Sequence, residues 1–176
     1  MNIIFDLDET LIFNGHNPKS SLEQFELVYS PRLSDKFMLR PYVKDILRGL
    51  GGACDGVFLA SFSTKNRIEQ ILRASGIAGM FSRVFTRENL DPCYRPDNYP
   101  TTFHTDDFLL IDDKPFEDKF TQAKLKYFGG GGEVCSDKLI RVSAFDGSDM
   151  DTELLTVLKT VTDRLRLAGQ YNVRTP

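Results

Sequence analysis

Asn2-Ile3-Ile4-Phe5-Asp6-Leu7-Asp8-Glu9-Thr10 is the stretch whose reading decides the fold. Residues 2–7 (NIIFDL) form a short, nearly unbroken apolar run, which suits a strand covered on both faces better than an alternating surface strand. Two carboxylates, spaced two residues apart, close it. Similar runs recur at 56–60 (GVFLA) and 107–111 (DFLLI), and weaker ones at 82–86 (SRVFT) and 138–142 (KLIRV). Between them lie helical patterns. Residues 41–50 carry Val43, Ile46, Leu47 and Leu50 on one face, with Pro41 suited to a first turn. Residues 66–75 carry Ile68, Ile71 and Leu72, with Asn66 and Glu69 as a start signal and Gly76 as a stop. Residues 152–167 carry Leu154, Leu155, Leu158, Val161 and Leu165. This alternation predicts an α/β fold around a central, mainly parallel five-stranded sheet flanked by helices.

Two regions interrupt the alternation. Residues 13–40 form an insertion after the first strand, in which Phe25-Glu26-Leu27-Val28-Tyr29 and Lys36-Phe37-Met38-Leu39 are expected to pair as a small hairpin-like flap. Its Phe25, Tyr29, Phe37 and Met38 suit either an apolar substrate pocket or core packing. Residues 89–105 hold three prolines and little periodicity, and read as a loop. The run 129–132 (GGGG) reads as a turn, since no Gly-Lys-Ser/Thr follows it to make a phosphate-cradling loop.

The chain has 176 residues, within the usual range of one compact unit, and no long Pro-, Gly- or Ser-rich linker divides it; residues 1–176 are expected to form a single domain. Apolar residues make up 41% and charged residues 27%, enough to bury a core. With 22 basic and 25 acidic residues, a net charge of -3 supplies no overall positive field for nonspecific nucleic-acid binding. Cys54, Cys93 and Cys135 show neither a paired spacing nor histidine partners for zinc, and read as reduced thiols. The first residues lack the basic and long apolar segments of a signal peptide, and no run approaches the roughly 18 apolar residues of a membrane span. An intracellular protein, cytoplasmic or nuclear, is expected. Composition is silent on oligomeric state.

The acids carry the chemistry. Asp6 and Asp8 end one apolar strand, and Asp112 and Asp113 end another. Ligands of open α/β sheets collect beyond the carboxyl ends of the strands, so the two acidic ends are expected to converge. Hard oxygen ligands arranged in this way favour magnesium. The bland alternative is a pair of Asp-rich turns. A third strand end, Ser61-Phe62-Ser63-Thr64, offers hydroxyls where a helix begins; Ser61 suits a phosphate oxygen, while Ser63 and Thr64 suit caps. His16 and His104 have no sequence neighbours that would make a triad or metal site.

Asp6-Leu7-Asp8-Glu9-Thr10, Ser61 and Asp112-Asp113 resemble the first, second and fourth motifs of the haloacid dehalogenase superfamily. More narrowly, Asp-Leu-Asp-Glu-Thr-Leu at 6–11, Arg40-Pro41, Phe85-Thr86-Arg87-Glu88 and Asp151-Thr152-Glu153-Leu154 make the chain similar to the small phosphatases of the RNA polymerase II C-terminal domain and their NLI-interacting-factor-like relatives. The resemblance implies a haloacid-dehalogenase-like fold. It implies that Asp6 is the nucleophile, forming an aspartyl phosphate, and that Asp8 protonates the leaving oxygen and then activates water. Magnesium would be held by Asp6, the Asp8 main-chain carbonyl, Asp112 and Asp113, with Thr10 and Ser61 positioning the site and its phosphate. One departure stands out: where the family commonly has Tyr-x-Lys-Asp, this chain reads Tyr94-Arg95-Pro96-Asp97. Arg95 is the nearest cation to replace the missing lysine, with Lys114 and Lys119 as weaker candidates.

The leading expectation is therefore a phosphomonoester hydrolase acting on phosphoserine or phosphothreonine in a protein or peptide. Nucleotides, small phosphates or nucleic-acid ends are the alternative substrates. The non-enzymatic alternative is a phosphoprotein-binding module impaired by the altered third motif.

Overall fold

The fold was read from a computed structural model that describes residues 1–15, 17, 19–30, 33–91, 93–94, 103–105 and 107–167. All five expected strands are present in one sheet: β1 (Asn2–Phe5), β5 (Gly56–Ala60), β6 (Arg83–Phe85), β7 (Phe108–Asp112) and β8 (Leu139–Arg141), in spatial order β6-β5-β1-β7-β8. Every pairing within it is parallel. Strand periodicity divides the core in two. Ile3, Phe5, Val57, Leu59, Leu109 and Ile111 share one cluster, whereas Ile4, Phe58, Ala60, Phe108 and Leu110 share the other. Because both faces are covered, the central strands need apolar residues at every position, which is why their sequence runs are unbroken.

Helices α1 (Val43–Gly51), α2 (Lys65–Ser75) and α5 (Glu153–Leu167) cover the first face with Leu50, Ile68, Ile71, Val161 and Leu165. The four-residue α3 (Arg87–Leu90) follows β6. Helix α4 (Lys119–Phe128) covers the second face with Leu125, Tyr127 and Phe128. Two start signals are displaced. Helix α1 begins at Val43, behind Tyr42, which takes a left-handed φ of 65°, so Pro41 precedes the helix instead of forming its first turn. Helix α2 begins at Lys65 behind Thr64, and Asn66 is already inside it. The stop is as expected: Gly76 adopts φ 72°, a conformation open to glycine at little cost.

The insertion forms β2 (Ile12–Phe13), β3 (Gln24–Ser30) and β4 (Leu33–Leu39), an antiparallel sheet of order β2-β4-β3. Within it Phe25 and Phe37 stack at 5.1 Å, and Phe37, Leu27 and Met38 are buried. The Tyr29 side chain lies outside the described residues, as do most of the 89–105 loop and His16.

Arg40, directly after β4, fastens this flap to the loop after β1 and to the start of α5. Its side chain is completely buried. Nε donates to Asp151 at 3.0 Å, Nη2 to Glu153 at 2.8 Å and Nη1 to the Thr10 carbonyl at 3.1 Å. The two sequence signatures at 40–41 and 151–154 are thus halves of one ion-pair network. Arg40→Met is expected to strand these acceptors and cost about 3 kcal/mol, measured by urea denaturation; a loss below about 1 kcal/mol would contradict it.

Candidate functional site

Sheet register assembles the site. Phe5 pairs with both Leu59 and Ile111, so the next residues, Asp6, Ala60 and Asp112, lie level at the carboxyl edge of the sheet. Asp6 N–H donates to the Ile111 carbonyl at 2.9 Å. Asp6, Asp112 and Asp113 are buried, and each offers an oxygen within 4.8 Å of the others. Asp6, Asp8, Ser61 and Asp112 line one cleft of about 320 Å³.

A lysine that sequence reasoning missed joins them. Lys124 in α4 is buried and donates to Asp6 at 2.5 Å and to Asp112 at 2.7 Å. It comes from the helix after the Asp112 strand, whereas the expected lysine would precede that strand. Asp118 places it, capping α4 by accepting from the N–H groups of Phe120 and Thr121. The available signal was Thr121, Lys124, Leu125 and Phe128, a helical face with a cation among apolar neighbours. Arg95 lies outside the described residues. Lys114 sits at the rim, 2.7 Å from both Glu9 and Asp113, and Lys119 lies over the Phe120 ring.

Burial drives the Asp6 carboxyl up to about 7; Lys124 opposes this, and the Asp112 and Asp8 carboxylates reinforce it. Burial would also strip Lys124 of its proton, but Asp6 and Asp112 outweigh it and raise the ammonium above its ordinary value. Lys124 therefore stays an ammonium, while Asp6 titrates near neutrality.

Asp8 has different company. Burial would raise its carboxyl as well, but Arg67, Asn14 and Ser63 together hold it below the usual range. Arg67 of α2 makes a fork to it, Nη1 at 3.1 Å and Nη2 at 2.7 Å, while Asn14 and Ser63 donate at 2.6 and 2.8 Å. The resting Asp8 is a carboxylate. Ser61 Oγ lies 3.4 Å from it and accepts from the Ser63 N–H. Thr10 is fully buried and turned to Asp113: its hydroxyl donates to Oδ1 at 3.2 Å and accepts from the N–H at 3.0 Å. Its geometry orients an acid of the cluster. Arg67 and Asn14 had no motif to announce them.

The three-carboxylate set suits a hard divalent cation. Asp6, Asp112 and Asp113 would hold it; Asp8 gives no carboxylate to this cluster. The raised Asp6 value has a signed consequence. Against an ordinary value of 3.8, its contribution to stability is fully present below that pH and is lost as pH rises through about 7. A cation binds the ionised form, so magnesium is expected to raise the Tm more at pH 8 than at pH 6. Calorimetry with and without the ion checks this, and equal shifts would contradict it.

The model of the NLI interacting factor-like phosphatase family matches residues 1–174. The chain belongs to this family. As an NLI interacting factor-like phosphatase it shares its fold with solved structures of RNA polymerase II CTD phosphatases. A variant of the fission yeast enzyme Fcp1, bound to beryllium fluoride, is 15% identical with a TM-score of 0.50, covering 96% of this chain and 53% of that one. A structure of Fcp1 described as an essential RNA polymerase II CTD phosphatase is 16% identical with a TM-score of 0.51, covering 99% and 55%. At these identities the likeness shows the fold alone, which is haloacid-dehalogenase-like, and the chain spans about half the length of those structures. No curated protein matches it. Among the described residues no helix is long and apolar enough to cross a membrane.

Proposed function

We propose that this NLI interacting factor-like phosphatase is a magnesium-dependent phosphomonoester hydrolase that acts through an aspartyl phosphate on phosphoserine or phosphothreonine in a protein segment. Residues 1–176 would act as one unit, with 13–40 as the flap. The observation that carries this reading is the meeting of Asp6 and Asp112 with Lys124 in a single cleft, with an Asp113 oxygen within 4.8 Å of both acids. A buried cation between two buried acids lowers the repulsion between them and an incoming phosphate anion.

In the first half-reaction an Asp6 oxygen attacks phosphorus, and the bond from phosphorus to the ester oxygen breaks. The leaving oxygen takes a proton by way of Asp8. Because the Arg67 fork favours the Asp8 carboxylate, that proton is brought by the monoanionic phosphate ester, whose second ionisation falls near 6. In the second half-reaction the Asp8 carboxylate takes a proton from water, which attacks phosphorus and breaks its bond to Asp6; Asp8 then passes that proton to the departing inorganic phosphate and returns to the carboxylate. Lys124 stays between Asp6 and Asp112 throughout, balancing charge. A bound magnesium ion would supply further neutralisation of the phosphoryl oxygens.

The presence of Lys124 removes the reason for an impaired binding module, namely a site without its cation. The test is phosphate release from a phosphoserine peptide, a nucleotide and a small phosphate, each with magnesium or with chelator. Peptide turnover that needs magnesium and exceeds the nucleotide rate is the expected result. Turnover unaffected by chelator would overturn the metal assignment, and preference for the nucleotide would overturn the substrate.

A further inference from the structure

The reaction above gives Lys114 no task. It follows Asp113 directly and lines the same cleft as Asp6 and Lys124. Asp112 Oδ1 accepts its backbone N–H at 2.9 Å, which turns the chain back over the acids. Its ammonium then bridges two carboxylates, Asp113 Oδ2 and Glu9 Oε2, at 2.7 Å each. The two acids sit in different surroundings. The Asp113 side chain is 2% exposed, whereas those of Glu9 and Lys114 are 46% and 48% exposed. Glu9 reaches the bridge from a left-handed backbone, φ 64°, a conformation that a residue with a side chain keeps only where its surroundings enforce it. Its N–H donates to the Ile12 carbonyl at 2.8 Å and its own carbonyl accepts from the Phe145 N–H at 2.6 Å.

Both oxygens of Asp113 have partners, Oδ1 the Thr10 hydroxyl and Oδ2 the Lys114 ammonium. A divalent ion held by Asp6, Asp112 and Asp113 takes an Asp113 oxygen directly or through one water. Two positive groups then meet at one buried carboxylate, and they compete for it. The ammonium of Lys114 can yield without being stranded, because its stem is half in water and Glu9 remains as a partner. Lys124 has no such freedom, buried as it is between Asp6 and Asp112. With Asp6 ionised, the carboxylates of Asp6, Asp112, Asp113 and Glu9 face the ammonium groups of Lys114 and Lys124, leaving the charge that one divalent ion neutralises.

We propose that Lys114 is a tethered counter-ion of Asp113, parked on Glu9, that competes with the divalent cation and sets the magnesium concentration at which the site loads. The proposal rests on the magnesium reading above and adds its control by a lysine of this chain. Calorimetric titration of magnesium chloride into the substrate-free protein at pH 8, in about 0.1 M potassium chloride, tests it. Lys114→Met is expected to lower the magnesium Kd about 5- to 10-fold, a gain moderated by the half-exposed position of the charge. Lys114→Gln, which keeps a hydrogen-bond donor and loses the charge, is expected to match it. Lys119→Met removes a cation that lies over Phe120 outside the bridge, and is expected to leave the Kd within about twofold of wild type. Glu9→Gln leaves Lys114 with Asp113 alone, and is expected to raise the Kd about 5-fold when Lys114 is present but less than about twofold in Lys114→Met. A Kd unchanged or raised in Lys114→Met, or lowered equally in Lys119→Met, overturns the competition. An equal effect of Glu9→Gln with and without Lys114 overturns the tether. If neither wild type nor Lys114→Met binds magnesium, the metal reading fails and takes the proposal with it, whereas binding with equal Kd sinks the proposal alone.

Discussion

Asp6→Asn is expected to lower phosphate release by at least about 10⁴-fold while leaving the protein folded. An amide has the shape of the carboxyl group but lacks the anionic oxygen that attacks phosphorus. The same substitution should change stability in the opposite direction. Asp6 is raised to about 7 by burial and by Asp112 and Asp8, so at pH 8 its charge works against the fold. Removing that charge is expected to stabilise the ion-free protein by on the order of 1 kcal/mol at pH 8, and by less at pH 6. A fall in activity with a rise in Tm is the signature of a strained reactive group. Retained turnover, within about tenfold of wild type, would remove Asp6 from the nucleophile role.

Lys124→Met is expected to damage both properties. Methionine fills a similar volume beside Thr121 and Leu125, so the change isolates the charge. Two buried carboxylates, Asp6 and Asp112, would then face each other without their shared partner. Stripping one side of a buried ionic cluster costs about 3–5 kcal/mol, seen here as a lower urea midpoint in chelator at pH 8. Magnesium should restore part of it, because the ion offers those acids a substitute charge. The kcat should fall about 10²–10³-fold even in saturating magnesium, since the ammonium also offsets the charge of the transferring group. Lys126→Met, on the exposed side of the same helix, is the matched control. A Lys124→Met protein with kcat within about twofold of wild type would reduce the lysine to a packing element.

The cation of the site comes from a place that the family pattern does not indicate. The family pattern directed attention upstream of the Asp112 strand, to Arg95, because motif order along a chain is what a sequence displays. The site asks only for an ammonium at a place in space, and α4 delivers one from downstream. Helix α4 itself escaped notice because Thr121 and Lys124 interrupt its apolar face. Polar residues at buried positions defeat a periodicity argument for the same reason that they serve a site. Arg67 was equally hidden: on an exposed-looking helical stretch, nothing local announces a guanidinium that reaches Asp8 across 59 positions of sequence. Of the flap residues ambiguous between pocket and core, burial places Phe37 and Met38 in the core, with Phe25 stacked on Phe37.

The chain's own letters settled where strands end and what ends them. Unbroken apolar runs can be satisfied only between two covered faces, and the acids at their ends can be tolerated only at an edge where a cation or ligand meets them. What they left open was which strand ends lie level, and which distant side chains close the cluster. Hydrogen-bond register, aligning Phe5 with Leu59 and Ile111, decides the first. Helix packing decides the second, because the identity of a neutralising partner depends on distances of a few ångströms between residues that no linear spacing relates.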